Sequence, residues 1–447
     1  MKTVRTFYIL IITQIFSLIG SRMTGIAIGI KVFADTGDAS PVLIAAFFAE
    51  LPGMLGNTLA GFVADRLDRR HVIMLGDAGQ ALATTLLLVS FWSGAFQLWH
   101  LYVMMLFTGI FATIQGPASQ AAITMLVPPD QRDRANSIRE IGFPLAGVIA
   151  PTVAALLYTA FGVIGVILVD LATFVVAITV VSRIQIPRPT QSQEDREAGE
   201  VWWREALGGW RFLWQRPTLF AASVYISFIW FLINGPLGTE TPYILSITGS
   251  EEMLGIILSA MNFGAFAGAG VIALVGRVRN RMLVILAAML LHGSAMIAYG
   301  IVRHPVLLAL AVLVTMFPLA LIGALFATIL QNKTPPDMQG RVFGAYGQMG
   351  MLLTPFSFLI TAALVDNVLE PAIQTPGWAV VAPLVGDQPG AGIGLLLVIV
   401  GSIIVVTTLL VGAQPRIRRL EQDLPDYVVE PEPIPPAIEA LTEVLKC

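Results

Sequence analysis

The chain has 447 residues, 56% of them hydrophobic and 12% charged, with a formal net charge of −3 and a mean hydropathy of +0.79. So apolar a composition excludes a soluble core, and the balanced charge leaves no basic excess for nucleic acid. Cys447, the last residue, is the single cysteine, which excludes a disulfide within the chain.

Lys2 and Arg5 precede a first apolar run at 7–33. It is too long for a signal-peptide core and has no cleavage pattern, so it is expected to stay as a span. At ~1.5 Å per residue a helix of that length crosses ~30 Å of hydrocarbon. Similar runs follow at 41–65, 72–92, 97–126, 135–160 and 163–184, and a second set at 218–247, 250–276, 282–302, 304–332, 342–368 and 390–412. None alternates as a membrane β-strand does, and backbone groups in lipid must be satisfied internally. The expected fold is an all-α membrane protein of 12 transmembrane helices.

Lys and Arg collect in alternate loops: Lys2/Arg5, Arg66/Arg69/Arg70, Arg132/Arg134/Arg139, Arg183 to Arg216, Arg277/Arg279/Arg281, Lys333/Arg341 and Arg416/Arg418/Arg419. The opposite loops hold only Lys31 and Arg303. Cytoplasmic loops retain positive charge, so both termini are expected in the cytoplasm. The expected parts are a six-helix bundle at 1–185, a linker at 186–217, a second bundle at 218–412 and a cytoplasmic tail at 413–447. In the linker, Trp203, Leu207, Trp210 and Trp214 share one helical face, the pattern of a helix lying in the membrane interface. The tail is acidic and rich in proline (LPDYVVEPEPIPP), a composition expected to be disordered.

The halves repeat one another. GPASQAAITMLVPPDQRDR (Gly116–Arg134) aligns without a gap on GALFATILQNKTPPDMQGR (Gly323–Arg341), and RLDRRHVI (Arg66–Ile73) lies over RVRNRMLV (Arg277–Val284). Parallel six-helix repeats with a substrate site between them are a transporter plan.

GFVADRLDRR, between spans two and three, puts five charges into six residues: Asp65, Arg66, Asp68, Arg69 and Arg70. It resembles motif A of the major facilitator superfamily, whose fold of two pseudo-symmetric six-helix bundles the repeat also fits. The resemblance implies a cytoplasmic gate in which Asp65 docks near the second half, Gly61 permits close helix approach, and Arg66, Arg69 and Arg70 face the cytosol. An acid near a helix N-terminus, such as that of span eleven, gains ~0.3–2 kcal/mol. Asp68 stands where a Gly is common in the motif. That variant, with LPGMLGNTLAGFVADRLDRR, QGPASQAAITMLVP and VDLATF, resembles the branch of macrolide-efflux proteins and the enterobactin exporter. In GFPLAGVIAPTVAALL, Pro144, Gly147 and Pro151 resemble the family's antiporter signature, with Ala150 where Gly would precede Pro151.

Ionisable residues inside spans cost roughly 2.5–3.5 kcal/mol at mid-span and point to function. Arg22 is ~22 Å along span one and Glu50 ~14 Å below the outer end of span two. They are expected at similar depth, where they could pair: Glu50 then carries a proton, substrate competes for one of the two, or they form a static ion pair. Asp77, early in span three, is with Glu50 and Arg22 a proton-coupling candidate, and its place near the cytoplasmic surface fits the gate network better. Asp170, Glu140, Glu240, Asp366 and His292 are weaker candidates. Gln115, Asn234 and Asn262 are intramembrane amides that either line a central site or bond between helices.

No phosphate-binding loop or metal spacing is present, so neither enzyme chemistry, nor a metal, nor a cofactor is expected. The reading is a monomeric exporter of amphipathic or hydrophobic small molecules (drugs, macrolides or siderophores) by proton antiport in a bacterial-type inner membrane. Lysophospholipid transport and a non-transporting sensor or scaffold remain open beside it.

Overall fold

The computed structural model describes residues 2–66, 68–127, 132–184, 202–275, 278–335 and 338–426, and every regular element among them is helical. α1 is Lys2–Thr36, α2 Ser40–Arg66, α3 Arg69–Trp92 and α4 Leu98–Leu126. The stretch Arg132–Arg183 is broken at Gly162, with φ 65° and ψ −172°, into α5 and α6. Only glycine adopts that geometry at little cost. α7 is Trp202–Trp214, α8 Pro217–Leu237, α9 Glu240–Thr248 and α10 Glu251–Val275. α11 is Arg281–Ile301, α12 Pro305–Lys333, α13 Gln339–Leu364 and α14 Ala391–Ala413.

Ten stretches are long and apolar enough to cross a membrane, and Ser40–Gly56 is a shorter apolar one. With Pro144–Arg183 split at Gly162 and α8 and α9 joined end to end, the described residues supply twelve crossings. An even number puts α1's start and α14's end on one face. We call it the basic face, since Arg69, Arg70, Arg281 and Lys333 lie at helix ends there.

Helix packing repeats between the halves. α1 lies on the α5–α6 unit as α8 lies on α13, and α2 lies on α4 as α10 lies on α12. α3 packs on α4 and the α5–α6 unit as α11 packs on α12 and α14. Two further pairs, α2–α13 and α5–α10, exchange under the same operation and join the halves. This is the two-bundle arrangement that the sequence repeat leads one to expect.

Among the described residues, the join is closed at the outer end. Ile30, Ala39 and Leu43 of the first half are buried in the second half's apolar core. Thr241 packs 3.5 Å from where a Gly29 side chain would start. Toward the basic face the helices part. On α13, Gly340, Gly344, Gly347 and Met351 follow one helical face; Met351 reaches Gly53 of α2, at 3.7 Å from its Cβ position, whereas the glycines face open space. On α10, Ser259 and Asn262 touch α5, but Phe266 and Ala269, farther along that face, are exposed. A cleft therefore opens between the halves toward the basic face.

The linker helix and the start of the tail both pack on the second half, and the tail departs from expectation. In the linker helix α7, Leu213 is 0% and Phe212 8% exposed, while Trp214 is 73% exposed. Its Gly209 lies directly against the Arg341 backbone of α13, and Trp210 Nε1 donates to Gln348 Oε1 at 3.0 Å. The tail is not disordered from its start. Glu421 accepts from Arg281 Nη1 at 2.8 Å and from Met282 N at 3.0 Å, capping α11, and Lys333 Nζ donates to Glu421 O at 2.8 Å. Residues 427–447 lie outside the described residues.

Candidate functional site

The cleft walls follow from helical stripes. On α2, Leu43, Ala46, Phe47 and Glu50 fall on one face, and the first three pack against the second half's core. Glu50 continues that stripe one turn beyond the seal, so it faces the second half where the cleft begins. It is exposed and has no hydrogen-bond or ion-pair partner among the described residues. On α1, Arg22, Ile26, Gly29 and Ile30 form the matching stripe, with Ile26 and Ile30 against the same core. Arg22 lies about one turn deeper than Glu50 along its helix, by helical rise.

Arg22 and Glu50 do not form the expected ion pair. Arg22 Nη1 lies 2.7 Å from the point a Cβ on Gly147 would occupy, and Asn262 Oδ1 is closer still to that point. A first-half cation and a second-half amide therefore meet over a bare stretch of α5. Any side chain at Gly147 displaces one of them, which gives this glycine of the Pro144–Gly147–Pro151 stretch a specific task. Pro151 removes the hydrogen bond that would have closed on the Gly147 carbonyl. Asn262 Nδ2 donates to its own helix at Leu258 O, 2.9 Å, leaving Oδ1 for this junction.

One turn outward, Thr152 Oγ1 and Ser259 Oγ are 2.8 Å apart, and Ser259 donates to Val148 O at 2.7 Å. Sequence reading missed this pair, because Ser and Thr inside spans are common and carry no charge to single them out. Asn234 Nδ2 donates to Trp230 O at 2.7 Å and reaches Thr354 Oγ1 of α13 at 3.5 Å. Its amide therefore works within the second half.

Of the two roles open to Gln115, the structure shows the bond between helices, within the first half. Its Nε2 donates to Asp77 Oδ1 at 2.6 Å, and its Oε1 accepts from Gln80 Nε2 at 2.7 Å. Gln14 Nε2 donates to Asp77 Oδ2 at 3.2 Å. Asp77, 2% exposed, is thus held by an amide on each oxygen. Asp170 is buried between α6 and α1, and its Oδ1 accepts from Ser21 Oγ at 3.4 Å. His292 is a packing residue of the second half, its Nδ1 2.7 Å from Thr315 O.

The sequence pattern of the Major Facilitator Superfamily matches residues 10–359. The chain belongs to that superfamily. Among curated relatives of this transporter, macrolide efflux protein A of Streptococcus pyogenes is 23% identical over 366 residues, 81% of this chain and 90% of that one. The enterobactin exporter EntS of Shigella flexneri is 23% identical over 399 residues, 89% of this chain and 91% of that one. Among solved structures, a bacterial homolog of the human lysosomal transporter Spinster, inward-facing and unoccupied, superposes with a TM-score of 0.68 at 14% identity, covering 91% of this chain and 95% of that one.

In this superfamily member the charged motif divides into two kinds of residue. Asp68 is the N-cap of α3: its Oδ1 accepts from Arg70 N at 3.0 Å, and its Oδ2 lies 3.5 Å from His71 Nδ1. Such a cap contributes ~1 kcal/mol and explains an acid where Gly is common. Arg70 reaches the Ser182 carbonyl at the end of α6. The side chains of Gly61, Asp65, Arg66, Glu140, Trp203 and Leu207 lie outside the described residues.

Proposed function

We propose that this transporter exports amphipathic or hydrophobic small molecules from a bacterial-type cell by proton antiport, with the basic face in the cytoplasm of the plasma membrane. The bundles at 1–185 and 218–412 rock about their outer and inner contacts, so that the cleft faces each side in turn. Glu50 takes up and releases the proton, Arg22 with Asn262 over Gly147 couples the halves beside it, and Asp65 latches the basic end in the opposite state. Asp77, fixed by Gln14 and Gln115, stiffens α3 behind the motif.

The observation that carries this reading is the carboxylate of Glu50, unpartnered on the face of α2 that meets the second half. The relatives' efflux activities, over nine-tenths of their lengths, support the direction and substrate type. One proton moving down one pH unit and ~100 mV supplies about 3.7 kcal/mol, which sustains roughly a several-hundred-fold substrate gradient.

Proteoliposomes with a trapped pH dye test it. Addition of a macrolide or a catecholate siderophore is expected to move protons opposite to the substrate, and Glu50→Gln to abolish that movement while substrate binding persists. Substrate transport without proton movement in the wild type overturns the coupling. Transfer of a labelled lysophospholipid alone, or loss of function only on removing residues 427–447, favours the lipid or scaffold alternative.

A further inference from the structure

The α2–α13 pair holds a contact that the proton and substrate steps do not use. Asp366 lies in the π-helical turn Val365–Leu369, just beyond the outer end of α13. Its Oδ2 accepts from Ser40 N at 2.6 Å and its Oδ1 from Ala39 N at 3.2 Å. The Ser40 hydroxyl donates back to Ala362 O at 3.1 Å. Ser40 begins α2, so a second-half carboxylate occupies the N-terminus of a first-half helix.

The physics makes this contact conditional. The first N–H groups of a helix have no partner within it and attract negative charge. Asp366, however, stands at the C-terminal end of its own helix, where the dipole opposes an acid. Its place is favourable only while α2 is docked against it. The three hydrogen bonds cross between the halves at the sealed end, so they must break if the outer end opens.

We propose that Asp366 is the latch of the outer gate, holding the cleft open toward the basic face by capping α2 across the domain interface. The inference rests on the alternating-access reading above. α2 ends with Asp65 beside its own C-terminus, on the face where α13 begins. The two antiparallel helices therefore each carry an acid at the end that meets the other's N-terminus, and each acid acts in one of the two states.

Site-directed labelling tests the latch apart from transport. In the full chain with Cys447→Ser, a Met351→Cys reporter stands in the cleft beside Gly53. A membrane-impermeant maleimide is applied from the outer side in right-side-out vesicles and from the basic side in inverted ones. The wild-type background is expected to react mainly from the basic side. Asp366→Ala should raise outer labelling by roughly three- to tenfold, with the gentler Asp366→Asn between the two. Asp65→Asn should lower it further, and a Val380→Cys reporter on the outer surface should not respond.

Outer labelling at the wild-type level in both Asp366 variants, with basic-side labelling intact, overturns the latch. In that case the response of the wild type to an imposed pH gradient shows which idea failed. A rise in outer labelling leaves alternation standing without this latch, and a flat response removes alternation itself.

Discussion

Gln115 must serve a carboxylate on one side and another amide on the other. Its Nε2 is bound to Asp77 and its Oε1 to Gln80. Gln115→Leu keeps the size but leaves Asp77 short of a donor and Gln80 short of an acceptor. The expected loss is about 1–3 kcal/mol, read as a lower unfolding temperature of the purified protein in detergent; unchanged stability would show the amide to be idle. Polar residues stranded in apolar runs are easy to single out in a sequence, which is how Arg22, Glu50, Asp77, Gln115 and Asn262 were selected. Helical rise gives their depth. It does not give the direction each faces relative to a helix dozens of residues away, so whether Gln115 lines the cleft or bonds between helices, and whether Arg22 meets Glu50, is settled only by the packing. The stripe Leu43–Ala46–Phe47–Glu50 was present in the sequence, but only its contact with the second half's core identifies the face.

At the scale of elements, the twelve spans were legible because lipid imposes one length and one composition on them. Their interruptions were less so. The seventh span parts at Gly238 and Thr239 into α8 and α9, where Gly235, Pro236, Glu240 and Pro242 mark the break in a run that hydropathy alone reads as one helix. The start of the tail was misread for a related reason: its average composition is that of a disordered segment, whereas Glu421, Lys333 and Arg281 fix it by particular bonds. Glu421→Ala removes both the Arg281 pair and the cap on Met282 N. It is expected to lower stability by roughly 1–2 kcal/mol in thermal unfolding while transport by the surviving folded protein continues. A variant as stable as the wild type would mean that the turns merely rest on the bundle.

For the molecule as a whole, the gap-free repeat of Gly116–Arg134 on Gly323–Arg341 announced the pseudo-symmetry, and the packing of α2–α13 against α10–α5 bears it out. On the proposed alternating access, what the sequence could not announce is the state, since both states would use the same residues. Thr152 and Ser259, with hydroxyls 2.8 Å apart across the halves, allow that state to be fixed. With Cys447→Ser, the pair Thr152→Cys and Ser259→Cys is expected to form a disulfide on oxidation and to stop transport. Ligand binding from the basic side should persist, and reductant should restore transport. Continued transport by the oxidised protein would show that the outer halves of α5 and α10 need not separate.

The glycines at 340, 344 and 347 have a further consequence. They line the face of α13 that meets α2 at Met351, yet among the described residues nothing lies within 4 Å of their Cβ positions. A helix gains nothing from bare backbone beside empty space, and glycine there weakens it by roughly 0.5–1 kcal/mol per residue relative to alanine. Such a row is a mould. On the alternation proposed above, it fits a conformation in which α2 lies flush against α13 at the basic end, so this face of one state would carry the shape of the other.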